Sequence, residues 1–90
     1  MRLEADLPDD LDPAELVRLN AAETARGISL REAGVIEHIW RLEGRRANVG
    51  VWSAASRQEL DDAIDSLPLR RYVEVAEVAV LQQHPVAAPQ

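Results

Sequence analysis

Two helix-start signals restrict the fold of this chain more than any other feature of its sequence. The first is D-P-A-E at 12–15, in which Asp12 can cap a helix and Pro13 suits its first position. Glu15 then lies where a capping box places an acid. The second signal is the capping box S-x-x-E that begins at Ser56. The segments around these two helices therefore decide the architecture.

Helix stop signals set the extent of both helices. The first helix is expected to run to about Ala33, with Gly34 as its C-terminal stop. Gly27 lies inside it and lowers its propensity by about 1 kcal/mol relative to Ala. The second helix carries apolar residues at helical spacing, and Pro68 ends its pattern.

Four further segments are typical of β-strands: residues 2–7, 35–43, 46–53 and 72–81. The E-G-R-R turn between the second and third predicts an antiparallel hairpin. The order β-α-β-β-α-β predicts an α+β, ferredoxin-like sandwich with an antiparallel sheet, a short first strand and both helices on one face. We expect one domain over residues 1–82 and an extended C-terminal tail over 83–90.

The last predicted strand is largely apolar on both of its sides. Val73, Val75 and Leu81 alternate with Val78 and Val80. Because the helices cover one face of the sheet, the other face must meet solvent or another subunit. The sequence therefore favours a homo-oligomer that hides the open face.

Charge and composition exclude several classes of partner. The formal charge is −6 and every basic residue is an arginine, which argues against binding to nucleic acid or to an anionic membrane surface. Cysteine is absent, so disulfides and thiolate chemistry are excluded. His38 and His84 lie far apart in sequence, and we predict no metal site. No signal-peptide pattern is present, and a cytoplasmic location is expected.

Glu23 is an acid on the apolar stripe of the first helix. At about 100° per residue, its direction lies between those of Leu16 and Leu30. Burial would raise the pKa of this carboxyl group and suit it to general acid–base catalysis. The alternative is that Glu23 reaches the edge of the helix or pairs with an arginine.

The predicted second strand carries His38, Trp40 and Arg41. Alternation places His38 on one face with Ile36 and Trp40, and Arg41 on the other. His38 is either a shielded, titrating group or a half-buried histidine satisfied by one hydrogen bond. Arg41 suits a substrate carboxylate, and its alternative is a cross-strand ion pair with an acid such as Glu74.

Three other features complete the set of candidates. Asn48 is unusual in a strand, although it can simply begin the strand after the turn. Tyr72 is expected in the core or at an interface rather than on a ligand. The pairs Arg45–Arg46 and Arg70–Arg71 are expected to be solvated turn residues.

Several short motifs, in order and over nearly the whole chain, resemble the muconolactone delta-isomerase family. The strongest are H-I-W-R at 38–41 and G-R-R-A-N-V at 44–49. S-L-P-L at 66–69 is followed by Tyr72, and H-P stands at 84–85. The remaining matches lie upstream, in L-P-D-D-L-D-P-A at 7–14 and N-A-A-E at 20–23.

The resemblance implies a 1,3-proton shift without a cofactor, which converts muconolactone to 3-oxoadipate enol-lactone in the catechol branch of the β-ketoadipate pathway. Glu23 falls on the acid of the family's E-K pair, and His38 and Arg41 fall on its H-x-W-R strand. Our hypothesis is that Glu23 shuttles the proton, His38 donates to the dienolate oxygen and Arg41 holds the substrate carboxylate. The other substrate-binding positions in this hypothesis are Trp40, Asn48 and Tyr72. The resemblance also implies a large homo-oligomer, decameric in family members.

The chain departs from the family pattern at several positions. Thr24 stands in place of the family lysine, Ile36 in place of a tryptophan, and Arg70-Arg71 in place of Phe-Pro. The first strand also looks truncated, which indicates a short strand or a misassigned start. These departures suggest another anionic substrate, a relocated cation or lost activity. As an alternative, the chain is a ferredoxin-like oligomer that binds a small organic acid, either without catalysing a reaction or while catalysing a different one. A third alternative is a purely structural assembly module.

Overall fold

A four-stranded antiparallel sheet, covered on one face by two helices, forms the body of the protein. A computed structural model describes residues 1–83 and 85–86. The elements in chain order are β1 (Arg2–Ala5), α1 (Pro13–Glu32), β2 (Ile36–Arg41), β3 (Ala47–Trp52), α2 (Arg57–Asp65), a 3-10 turn (Arg70–Tyr72) and β4 (Val73–Glu77).

The strand order is β2-β3-β1-β4, with every neighbouring pair antiparallel. This is the arrangement expected for a β-α-β-β-α-β chain, so the predicted α+β architecture is confirmed. The short strand β1 lies in the interior of the sheet, where β3 and β4 pair with its two sides. Strands β2 and β4 form the two opposite edges.

The caps of α1 explain where this helix begins and ends. The Asp12 carboxylate accepts a hydrogen bond from the Ala14 N–H at 3.1 Å, and a proline occupies the first turn. Glu15 pairs with Arg18 instead of closing a capping box, so that part of the prediction is wrong. At the other end Gly34 has φ of 78°, which favours glycine, and the helix stops there as predicted.

The capping box of α2 forms largely as predicted. The Ser56 hydroxyl accepts a hydrogen bond from the Glu59 N–H at 3.2 Å. The Glu59 carboxylate in turn accepts from the N–H of Ala55, one residue before the cap, at 2.9 Å. The Ser56 and Glu59 side chains therefore both accept hydrogen bonds from backbone N–H groups at the start of the helix, and α2 begins at Arg57.

The hydrophobic core lies between the two helices and the covered face of the sheet. Its buried residues are Leu3, Leu30, Ile36, Ile64 and Leu67. All five are aliphatic, and no aromatic ring is fully buried among the residues that the structure describes. No helix in residues 1–83 and 85–86 has both the length and the apolar character needed to cross a membrane.

Strand β4 ends at Glu77, four residues earlier than the sequence predicts. Its antiparallel partner β1 begins at Arg2, which pairs with Glu77, so the residues after Glu77 have no strand beside them. Val80 and Leu81 are consequently 92% and 70% exposed. His84 and residues 87–90 of the predicted tail lie outside the described residues.

A bulge in β2 changes which of its residues share a face. Ile36 lies opposite Trp52, whereas His38 lies opposite Val51, so Glu37 is an extra residue in the strand. Ile36 therefore packs in the core while His38 faces away from the helices. The prediction that Ile36 and His38 share one face is wrong for this reason.

Candidate functional site

A cavity of about 820 Å³ opens between α1 and the adjoining end of the sheet. The helix contributes Asn20, Glu23, Thr24 and Gly27 to its lining. These residues are spaced by three, one and three positions, so they follow one face of the helix. Gly27 adds no side chain there, and a Cβ built on it would meet nothing within 4 Å.

The sheet lines the other side of the cavity. Ile39 and Arg41 come from β2 and Asn48 from β3. Arg45 and Arg46, from the turn that joins these strands, stand at the same side. Both are exposed turn residues, as the sequence indicated, and they also border the cavity. The periodic face Asn20–Gly27 on α1 is the signal that could have located the cavity.

Glu23 is the acid of this cavity that lies half-buried on the helix. Its Oε2 accepts a hydrogen bond from the backbone N–H of Leu69 at 2.9 Å. Burial raises the pKa of the Glu23 carboxyl group, and the Leu69 hydrogen bond offsets part of that rise. No arginine of the described chain forms an ion pair with it. Of the two alternatives that the sequence left open, the structure shows a partly desolvated acid, which is bound by a backbone N–H and not by an arginine.

Arg41 and Asn48 are direct cross-strand partners on β2 and β3, on the helix-facing side. Within the described residues the Arg41 guanidinium has neither a hydrogen bond nor an ion pair. The alternative pair with Glu74 does not form, because β2 and β4 are opposite edges of the sheet. The Asn48 Oδ1 is buried and also has no partner in the described structure. The Asn48 oxygen is thus unsatisfied, and beside it stands an exposed guanidinium group without a partner among the described residues.

His38 and Trp40 lie on the open face of the sheet, away from this cavity. Their rings stack with centroids 5.8 Å apart and planes inclined by 18°. Trp40 is 58% exposed. The sheet separates both rings from Glu23 and Arg41, because alternate residues of β2 point to opposite faces. One chain alone does not bring His38 to the cavity.

Tyr72 ends the 3-10 turn and does not line the cavity. The Arg71 guanidinium carbon lies 5.3 Å from the centroid of its ring. Arg70 donates to Asp65 at 2.9 Å and to the carbonyl oxygen of Val73 at 2.7 Å. The two arginines that follow Leu69 therefore brace the turn and the start of β4, outside the cavity.

The arrangement suits proton transfer on a small anion. Glu23 offers a carboxyl group whose raised pKa places it nearer to neutral pH, where a general acid–base is effective. Arg41 offers a cation with all its donors free for a carboxylate. Asn48 offers an amide that can donate to an oxygen, since its two ends can exchange by a flip.

Comparison with known proteins gives a consistent result. The family described as muconolactone delta-isomerase matches residues 1–87. Muconolactone Delta-isomerase 2 of Acinetobacter lwoffii is 37% identical over 84 residues, covering 93% of this chain and 86% of that protein. Muconolactone Delta-isomerase of Pseudomonas putida is 34% identical over 85 residues, covering 94% and 88%. The 3.3 Å crystal structure of a muconolactone isomerase matches with a TM-score of 0.88 at 34% identity, covering 99% of this chain and 92% of that one.

Proposed function

Because the chain belongs to the muconolactone delta-isomerase family, we propose that it converts muconolactone to 3-oxoadipate enol-lactone. The observation that supports this most directly is the cavity in which a half-buried acid, Glu23, faces an unpaired cation, Arg41. The substrate is a small carboxylate whose ring proton must move, so it needs one group of each kind. The reaction requires no cofactor.

Glu23 is the proposed proton shuttle. Its carboxylate removes the proton from the ring carbon that bears the carboxymethyl group. The electrons of that C–H bond form a new C=C bond, the existing C=C shifts toward the carbonyl carbon, and the carbonyl oxygen takes the charge of a dienolate. The electrons then return from the oxygen, and Glu23 delivers the proton to the carbon beside the lactone carbonyl. The protein and the substrate end with their original charges.

Arg41 and Asn48 hold the substrate in this proposal. Arg41 binds the carboxylate of the carboxymethyl group with its planar fork. Asn48 turns its amide N–H toward the lactone oxygen, where negative charge develops in the dienolate. Its unsatisfied position next to Arg41 supports this role, because a buried polar group without a partner costs about 1–3 kcal/mol until a ligand satisfies it.

The proposal does not use three of the predicted site residues as ligands of the substrate in their own chain: His38, Trp40 and Tyr72. His38 and Trp40 face away from the cavity of their own chain, so they reach a bound lactone only in the cavity of a neighbouring subunit. We assign His38 and Trp40 to a contact between subunits. Tyr72 supports the turn that follows Leu69, whose N–H orients Glu23.

We propose a homo-oligomer, decameric as in family members, in which the open face of the sheet is covered. Trp40, Val49 and the segment with Val80 and Leu81 are exposed apolar surface that supports this assembly. Trp40→Glu should reduce the mass of the particle in analytical ultracentrifugation. A monomeric wild-type chain at micromolar concentration would contradict the proposal.

Turnover of muconolactone tests the proposed reaction. The purified full chain, shown to be folded by circular dichroism, should abolish the absorbance of the conjugated lactone at a rate proportional to enzyme concentration. Glu23→Gln serves as the inactive control, since it keeps an acceptor for the Leu69 N–H and removes the base. A folded wild-type chain without turnover above background would reject the substrate assignment.

A further inference from the structure

The cavity is more positively charged than the acidic chain around it suggests. Three arginines line it, Arg41, Arg45 and Arg46. Of these only Arg45 forms an ion pair within the described residues, with Glu4, which Arg2 also contacts at 3.2 Å. Two guanidinium groups are therefore uncompensated in a protein whose formal charge is −6. Glu23 also lines the cavity, but within the described residues it forms no ion pair with any of the three arginines.

Arg46 is held at the mouth of the cavity from two sides. Its backbone carbonyl oxygen accepts a hydrogen bond from the Ala5 N–H at 2.8 Å, which fixes the start of β3 against β1. Its guanidinium group reaches across to α1, where it donates to the Asn20 Oδ1 at 3.5 Å. This contact with a neutral amide is at the limit of a hydrogen bond, so it directs the cation without neutralising it.

Arg46 and Arg41 flank Asn48. Arg46 lies two residues before Asn48, just before β3 begins, and Arg41 is the cross-strand partner of Asn48; all three line the cavity. A ligand on the Asn48 amide would thus have one cation on each side. A carboxylate at one guanidinium leaves the other free for a second negative group.

We propose that Arg46 is a second anion-binding residue of this cavity and stabilises the dienolate, while Arg41 binds the carboxylate. The proposal rests on the proposed function for its catalytic part. The reaction passes through a dianion, since the substrate carboxylate persists while the C–H electrons move onto the lactone oxygen. Two uncompensated cations match these two charges, and the one that acts only on the dienolate affects the chemical step.

Binding of unreactive acids tests the second anion site without any turnover. Adipate carries two carboxylates, and hexanoate is a six-carbon acid with one. Arg46→Gln should weaken adipate binding by about tenfold, the effect of losing a charged hydrogen bond, and leave hexanoate binding nearly unchanged. Arg41→Gln should weaken both ligands. Arg18→Gln, on the exposed side of α1 and outside the cavity, is the matched control and should weaken neither.

Calorimetric titration of the full chain distinguishes the outcomes. A selective loss of adipate affinity in Arg46→Gln supports the second site even if the wild-type chain fails to convert muconolactone. In that case the proposed reaction is rejected, and the assignment of Arg46 as an anion-binding residue is kept. Equal losses for both acids, or no loss for either, would overturn the assignment of Arg46. Circular dichroism of each variant checks that the fold is intact.

A charge relocation tests the catalytic role. Thr24 lies one helical turn after Asn20 on the same side of the cavity, so a lysine there would place an ammonium group near the position of the Arg46 guanidinium. With muconolactone as substrate, Arg46→Gln should lower kcat by about 10²-fold, as removal of an oxyanion donor does, with a smaller change in KM.

Adding Thr24→Lys to the Arg46→Gln variant should restore at least part of kcat. A double variant no faster than Arg46→Gln would show that the loss does not come from the missing charge and would overturn the catalytic role. An unchanged kcat in Arg46→Gln would do the same. Arg46→Lys, which keeps the charge, should retain more activity than Arg46→Gln.

Discussion

The backbone N–H of Leu69 donates a hydrogen bond of 2.9 Å to the Glu23 carboxylate and so ties α1 to the segment that follows α2. The bond engages Oε2, which leaves Oε1 for a substrate. It also sets the chemistry of the group, because burial raises the pKa of Glu23 while this donor lowers it. The carboxyl group is therefore oriented by the backbone and still prone to take up a proton.

The first prediction concerns the pH dependence of turnover. If Glu23 is the base, kcat/KM for muconolactone should rise with pH through the raised pKa of its carboxyl group. The midpoint should lie above that of an ordinary glutamate in water. Glu23→Gln should lower kcat by about 10²–10⁴-fold, the usual contribution of a general base. Initial rates across a series of buffers at constant ionic strength measure both effects.

Glu15→Gln is the control for this experiment. Glu15 is on the same helix and pairs with Arg18 outside the cavity, so its removal should leave the rate and the midpoint unchanged. A Glu23→Gln variant with a near-normal rate, or one that keeps the same pH midpoint, would show that another group is the base.

The second prediction is that Glu23 lowers stability at neutral pH. A carboxyl group with a raised pKa in the folded state binds protons more tightly there than in the unfolded chain. Its contribution to the free energy of unfolding is therefore complete below its unfolded pKa and is lost as the pH rises through the folded pKa. Glu23→Gln should consequently be more stable than the wild type above that range, and the difference should shrink at acidic pH.

Denaturant unfolding at several pH values measures this difference. Protein concentration must be kept constant, because association alters apparent stability. The Glu15→Gln variant again provides the comparison, since its carboxylate is exposed and already paired. A Glu23→Gln advantage that grows as the pH falls would have the wrong sign and would contradict the desolvation of this group.

The sequence predicted the parts of this structure that depend on local signals. Asp12, Ser56 and Gly34 placed the helix ends because caps and stops act within a few residues. From its direction on the helix, Glu23 was expected either as a desolvated acid or as an acid that reaches the helix edge or pairs with an arginine, and it lies half-buried in the cavity. Local periodicity therefore located both the fold and one side of the candidate site.

What the sequence did not indicate depends on contacts between distant residues. The extra residue Glu37 in β2 is visible only from the pairing with β3, and it decides that Ile36 and His38 face opposite sides. The hydrogen bond between Arg46 and Asn20 joins a turn to a helix, and no sequence pattern within either segment predicts it. The early end of β4 follows from where its antiparallel partner β1 begins, at Arg2.

The third prediction separates the two faces of β2. Arg41→Ala should raise KM for muconolactone by about tenfold or more and change kcat less, because it removes a carboxylate contact made before and during the reaction. His38→Ala should leave KM unchanged in the Trp40→Glu background, once ultracentrifugation shows that variant to be monomeric, since the sheet separates His38 from the cavity of its own chain. An unchanged KM in Arg41→Ala would remove Arg41 from the carboxylate site.

The fourth prediction compares a glycine that is closely packed by its neighbours with one that has open space around it. A Cβ built on Gly50 would lie 2.8 Å from the Trp52 Nε1 and 3.2 Å from the His38 carbonyl oxygen, so Gly50→Ala must displace the indole ring. We expect it to lower the free energy of unfolding by about 1–3 kcal/mol, the usual effect of overpacking.

Gly27→Ala is the matched control. Gly27 lies inside α1 and a Cβ there would meet nothing within 4 Å, so this substitution should raise the free energy of unfolding by about 0.5–1 kcal/mol. Thermal unfolding followed by circular dichroism at one protein concentration measures both, and a Gly50→Ala variant as stable as the wild type would mean that Trp52 moves aside freely.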